Sequence, residues 1–349
     1  MSTSPVPAGK RRLLRIVVAA LLTAAVVALL VAGWPTVSQV PATLRSVNPF
    51  WAATALALEA LSLLGTAQLQ RVMLAAAGAS PPGLRDHVAV TYVGAAISGG
   101  LPGGSALGTA YVYRQLRARG VTAARIGLAL TAAGLLSTAM MALVSVAALT
   151  FVGSAAGSAA ASVVELGVVV ALVVLARWVV RHPGVVAAIA RWCVARINGL
   201  RRRPASLGGD AVSSVVSGLA GIRLPGSRQA AALGWSLADR GADIACLALC
   251  LVAVGTPIPS LAAVVTAYVA GVAASQVSLT PAGLGITEAA MTAALVAHGS
   301  PAQAALAAVL LFRLFSPGVN VGIGAAIGLA RAGRTRMLPR SGQVAALAA

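Results

Sequence analysis

An all-α, polytopic helical membrane protein is the fold this sequence predicts, and three observations predict it. Hydrophobic residues fill 59% of the 349 positions and charged residues only 9%, with a mean hydropathy of +0.91; soluble domains carry about 25% charged residues. The apolar residues fall into runs of about 18 or more, the length at which a helix crosses a hydrocarbon core of ~30 Å. The basic residues, which set a net charge of +19, gather at the ends of those runs.

These clusters are Lys10 to Arg15, Arg71 with Arg85, Arg114 to Arg125, Arg177 to Arg228 and Arg331 to Arg340, leaving Arg45, Arg240 and Arg313 apart. Basic clusters beside apolar spans mark the cytoplasmic side. Their partner is an anionic membrane surface. Nucleic acid is excluded, because no aromatic-rich or groove-reading module accompanies the charge. Cys193, Cys246 and Cys250, like His87, His182 and His298, are too scattered for a disulfide framework or a metal site. Neither a metal nor a cofactor is expected.

Residues 1–10 read as a disordered cytoplasmic tail, 11–332 as the membrane domain and 333–349 as a second cytoplasmic tail. Ile16 to Gly33 is an apolar run of 18 residues, longer than the core of a signal peptide, which spans about 7–15. It reads as a signal anchor with its N-terminus inside. Phe50 to Gln70 returns the chain to Arg71, and "GASPPG" makes the turn.

Val88 to Val112 then has basic residues at both ends, so both ends belong inside. Its middle, "GGLPGG" (Gly99 to Gly104), separates arms of 11 residues (Val88 to Ser98) and eight residues (Ser105 to Val112). Such arms rise about 12–17 Å, half of a hydrocarbon core. The segment is therefore predicted to be a re-entrant hairpin entered from the inside.

Ile126 to Phe151 runs outward and Val163 to Val180 inward. The segment 182–228 is cytoplasmic, with two basic amphipathic faces of the kind that lie on anionic lipid. Ala230 to Val254 leads outward again, and Ala302 to Leu329 is the last inward crossing. Leu261 to Ala297 then starts and ends outside and is broken at Thr280 to Gly285. It is a second re-entrant hairpin, entered from the opposite face. Its long first arm, Leu261 to Leu279, must tilt or bend.

The prediction is thus six full crossings and two opposed hairpins, with both termini cytoplasmic. Residues 50–151 and 230–329 mirror each other as span, hairpin and span. "TYVG" at Thr91 and "TAYVAG" at Thr266 precede the two breakers, and Pro102 to Gly120 and Pro281 to Gly299 are both 18 residues apart. Inverted repeats with broken helices at mid-depth are a transporter layout.

The stretch "TPAGLGITEAAMTAALVAHGSPAQAALAAVLLFRL", from Thr280 to Leu314, resembles the Pro-Gly-Gly-x-Gly-x-x-Glu signature and following Arg-bearing span of the lysylphosphatidylglycerol synthase transmembrane, or flippase-like, family. That family resembles the membrane half of the bacterial multiple peptide resistance factor. Ala282 stands where the signature has its middle glycine. The soluble aminoacyltransferase domain of bifunctional members has no room after Leu329. The resemblance therefore implies translocation of a lipid across the cytoplasmic membrane rather than lipid synthesis.

Buried charges point the same way. Glu59 lies nine residues in from Phe50, Asp239 ten in from Gln229, Glu288 ten before His298 and Arg313 twelve after Pro301. Each is about 14–18 Å deep. Arg240 and Asp243 accompany them, with Asp239 and Asp243 on one helical face. Four carboxylates against two arginines leave a surplus that an amine-bearing head group or a coupled cation would match. The loops at Pro102, Gly103 and Gly104 and at Thr280, Pro281, Gly283 and Gly285 open helices whose free N–H groups suit a phosphate.

A phospholipid or polyprenyl-linked lipid is the expected partner. The alternatives are a membrane enzyme, or a scaffold for a separate enzyme, acting on lipid-linked cell-envelope precursors. No catalytic motif is recognisable. "GLPGGSALGT" lacks the Gly-Lys-Ser/Thr ending of a phosphate-cradling loop. Gly318/Gly322 and Gly324/Gly328 have the spacing of close helix packing.

Overall fold

The computed structural model describes residues 47–101, 104–156, 225–277 and 283–337, with isolated positions between 184 and 218. The tail 1–10, the runs 16–33 and 163–180, most of 182–228, and residues 338–349 lie outside the described residues. Among the described residues the chain is all-helical.

Helix α1 (Pro49–Ala76) opens on Asn48, whose side chain accepts from Phe50 N at 3.0 Å, with Pro49 in the first turn. That is a polar cap followed by a residue with no N–H to strand. The helix continues past Gln70 through Val72, Met73 and Leu74, stopping only where Gly78 takes φ +73°. Helices α2 (Leu84–Gly100) and α3 (Gly104–Ala118) form the first hairpin. Their arms have 17 and 15 residues, longer than the 11 and eight expected. The difference is physical: Asp86 in the first turn of α2 and Arg117 in the last turn of α3 complement the helix dipoles, so charge at the ends extends the arms.

Helix α4 (Ala123–Ala156) completes the first half. Helix α5 (Gly226–Ala253) opens the second, followed by α6 (Leu261–Val277) and α7 (Ile286–Ala297). The expected last span, Ala302 to Leu329, is divided: α8 (Ala302–Arg313), a π-helical turn (Leu314–Val319) and α9 (Asn320–Met337). Pro317 explains the division, since it removes an N–H and crowds the preceding turn. Pro49–Ala76, Ala123–Val146 and Ala302–Arg331 are long and apolar enough to cross a membrane. Helix α5 carries Arg228, Asp239, Arg240 and Asp243 along its length.

The two halves pack by one scheme. Helix α1 lies along α5; α2 packs on α3 and on α9, while α6 packs on α7 and on α4; α1 touches α4 as α5 touches α8. Exchanging the halves maps this set onto itself. The turns repeat bond for bond: Ala77 N to Met73 O, Gly78 N to Ala75 O and Ala79 N to Leu74 O are matched by Val254 N to Cys250 O, Gly255 N to Val252 O and Thr256 N to Leu251 O.

The exchanged helices α1 and α5 are antiparallel, because Asn48 N donates to Ala253 O at 2.8 Å and Arg228 donates to Ala75 O at 3.4 Å. A two-fold that swaps antiparallel helices runs across them. The halves are therefore inverted copies.

Each half has its own apolar core. Leu69, Leu74, Val90, Leu116 and Ile126 fill the first; Leu247, Leu251, Met291, Leu295, Val309 and Phe312 fill the second. The seam between them carries the polar groups.

Candidate functional site

At the seam α1 and α5 come backbone to backbone. A Cβ on Gly65 would lie 3.0 Å from Trp235 O and 3.1 Å from Asp239 N, so only glycine permits this approach. It sets Ser62 and Thr66 beside Asp239, and both hydroxyls donate to Asp239 Oδ1 at 3.0 Å.

The neighbouring Arg240 ties three helices together. Its Nη2 donates to Ser137 Oγ on α4 at 2.7 Å and lies 3.3 Å from Asp239 Oδ2. Its Nη1 donates to the Tyr268 hydroxyl on α6 at 3.0 Å and lies 3.7 Å from Asp243 Oδ2. Tyr268 in turn donates to Asp243 Oδ2 at 2.7 Å. One guanidinium thus serves both aspartates.

Glu288 and Arg313 form a second unit. Arg313 Nε donates to Glu288 Oε1 at 2.6 Å, and Gly285 N donates to Glu288 Oε2 at 2.6 Å. The carboxylate is thereby fixed in the first turn of α7 as half of a capping box; glycine has no side chain to supply the other half. Gly283 and Gly285 sit at φ +73° and +90°, conformations that favour glycine and create the break before α7.

Glu59 is the third element. It is 3% exposed, and Asn320 Nδ2 at the start of α9 donates to its Oε1 at 2.8 Å. Its Oε2 is buried without a hydrogen bond.

Three cavities meet here. One of about 420 Å³ is bordered by Thr66, Gln70, Ser98, Ser137 and Arg240; one of about 270 Å³ by Arg240, Asp243, Tyr268, Thr287 and Arg313; one of about 640 Å³ by Ser137, Ser145, Arg240 and Val272. Arg240 borders all three. The first two are counterparts under the exchange of halves: Gly94, Ser98, Gly108, Val112 and Ser137 line one, and Gly271, Ser275, Thr287, Met291 and Ser316 line the other at the matching repeat positions. The chemistry differs: Gly134 in the first cavity is answered by Arg313 in the second.

Of the sequence-predicted site residues, Asp239, Arg240 and Asp243 form one network and Glu288 with Arg313 another, both reaching the 270 Å³ cavity. Gly104 packs against Ile97 O and Ser98 O, too tightly to admit a side chain. Pro102, Gly103, Thr280 and Pro281 lie outside the described residues.

A broken hairpin with a first-turn glutamate paired to an arginine of the next helix is the geometry that the stretch from Thr280 to Leu314 foreshadows. A family model described as the lysylphosphatidylglycerol synthase TM region matches residues 13–324. The chain belongs to this family. Membership makes it a membrane protein of lipid metabolism or transport. No curated protein matches it.

Sequence reasoning missed several polar residues that complete this lysylphosphatidylglycerol synthase TM site: Asn320, Tyr268, Ser62, Thr66, Ser137 and Thr287. Two had a signal. Tyr268 lies inside the repeated "TAYVAG", and Ser137 and Ser316 occupy corresponding positions in the two halves.

Proposed function

We propose that the protein translocates a phospholipid or lipid-linked head group across the cytoplasmic membrane, with the seam between its inverted halves as the transit site. The observation that carries this reading is the Glu288–Arg313 pair, 2.6 Å apart and opening through Arg313 onto a cavity shared with Arg240 and Asp243. A zwitterionic head group presents both an anion and a cation to such a lining. Intramembrane ion pairs are costly to bury and mark transit paths when they face a cavity. In this reading α2–α3 and α6–α7 are re-entrant from opposite faces, and the arginine-rich end of the bundle faces the cytoplasm.

The test is lipid translocation in reconstituted vesicles, read beside thermal stability of the purified variants. Arg313→Ala strands a buried carboxylate, which costs about 3–5 kcal/mol, and translocation falls to background. Glu288→Gln lowers translocation while leaving the fold nearly intact, since the amide keeps the shape. The double variant Glu288→Gln/Arg313→Gln removes both charges and is near-neutral for stability. A stable, inactive double variant supports the transit site. A stable, fully active one rejects it and leaves the pair a structural clasp, as a scaffold for a separate envelope enzyme would have.

A further inference from the structure

Three carboxylates and one guanidinium share the crossing of α1 and α5, and their hydrogen bonds are unevenly distributed. Asp239 has two hydroxyl donors and Arg240; Asp243 has Tyr268 and Arg240. Glu59 has only neutral partners: the Asn320 amide donates to its Oε1, the Ser316 hydroxyl lies near the carboxyl, and its Oε2 is left without a hydrogen bond. The Arg240 guanidinium is directed at Ser137, Tyr268 and the two aspartates.

The surroundings of Glu59 are electrostatically one-sided. The ionisable groups within electrostatic range of it are acids: Asp243 and Asp239 and the thiol of Cys246 on α5, and the Tyr92 phenol on α2. The π-helical turn and α9 offer the neutral Ser316 and Asn320. Helix α4 has no ionisable side chain between Arg125 and Ala156. A bare carboxylate in this setting is an uncompensated buried charge beside two like charges.

The geometry points to Glu59 as a proton-binding site that couples proton occupancy to the seam between the halves. The proton sits on Oε2, as an O–H bond formed from a water-borne proton, with Oε1 left as the carbonyl that accepts from Asn320. The Ser316 hydroxyl stands beside the carboxyl and also lines the 270 Å³ cavity. That hydroxyl is the polar group shared by the carboxyl and the cavity, and so the route for the proton. A metal cation is a poorer fit, because it requires several oxygen ligands together and the Asn320 group aimed at the carboxyl is an NH₂ donor.

Coupling follows from position. Asn320 ends the π-helical turn that Arg313 begins, so the Glu59 contact and the Glu288 pair hold opposite ends of one irregular turn. Loss of the proton places a third negative charge at the α1–α5 contact and loosens it. This coupling role rests on the translocation reading above; the proton itself does not.

The test labels the intact protein with dicyclohexylcarbodiimide, which attacks protonated carboxyls in apolar surroundings, and maps the adducts by mass spectrometry across a pH series. Glu59 is expected to be modified, with labelling falling about ten-fold per pH unit above its midpoint. An infrared carbonyl band of a protonated acid should vanish in Glu59→Gln, a variant that mimics the protonated form and whose folding is checked by its thermal transition.

Absence of a Glu59 adduct at every pH where the protein is folded overturns the proposal. So does labelling abolished by Na⁺ at fixed pH. A labelled Glu59 with an unchanged pH profile of translocation in Glu59→Gln overturns the coupling role. A labelled Glu59 in a protein that moves no lipid supports the proton site and sinks the translocation reading instead.

Discussion

Arg240 shows how a single side chain holds the seam between the halves together. Its two terminal nitrogens reach Asp239, Asp243, Tyr268 and Ser137, on α5, α6 and α4. Arg240→Met leaves two buried carboxylates without a cation, and breaking such an arrangement costs about 3–5 kcal/mol. Tyr268→Phe removes one hydroxyl that both donates and accepts, at a cost of about 1–3 kcal/mol. Thermal unfolding in detergent should therefore rank wild type above Tyr268→Phe and Tyr268→Phe above Arg240→Met. The reverse order would mean that the guanidinium is not the organising charge. The Glu288–Arg313 pair was legible beforehand because both residues lie at equal depth on segments joined by a short turn. The Glu59–Asn320 bond was not, since 261 positions separate its partners and an asparagine late in an apolar span has no periodic signal.

The order of helices and the two breaks could be read from the alternation of apolar runs, charge clusters and Gly/Pro stretches. The lengths could not, because polar and basic residues near a membrane surface do not end a helix; they extend it until a left-handed glycine such as Gly78, Gly120, Gly255 or Gly299 stops it. Glycine spacing was similarly ambiguous. Of the four glycines proposed for close packing, a Cβ on Gly324 would collide with Tyr92 O and lie 2.6 Å from Ala96 Cβ on α2, whereas Gly322 has nothing within 4 Å. Gly318 and Gly328 show ordinary contacts of 3.5 Å or more. Gly324→Ala should thus push α9 off α2 at a cost of about 1–3 kcal/mol. Gly322→Ala should stabilise by up to about 1 kcal/mol through helix propensity alone. Equal melting temperatures for the two variants would show that α9 does not rest on α2 as described.

At the scale of the whole molecule, charge is segregated by the fold as well as by the sequence. Asp86 bonds Arg331, Arg71 reaches Pro82 O, Arg228 reaches Ala75 O, and Arg125 lies against Gly78, so the ends of α1, α2, α4, α5 and α9 that carry arginine converge. Among the described residues the opposite end, residues 47–48, 254–260 and 298–301, contains no Lys or Arg. An inverted repeat alone would give two equivalent ends, and the arginines break that equivalence. If the basic end is cytoplasmic, then in a background lacking the native cysteines a cysteine at Ile258 or Ala302 reacts with an impermeant thiol reagent in intact cells, and one at Ser80 or Thr122 reacts only after lysis. All four positions are exposed, unlike Ser300, which is buried and would stay silent on either side. Labelling at Ile258 without labelling at Ala302 would make Leu261–Val277 a full crossing rather than one arm of a hairpin. Labelling at Ser80 and Thr122 in intact cells would turn the whole protein over, with the arginines outside and the direction of any transport reversed.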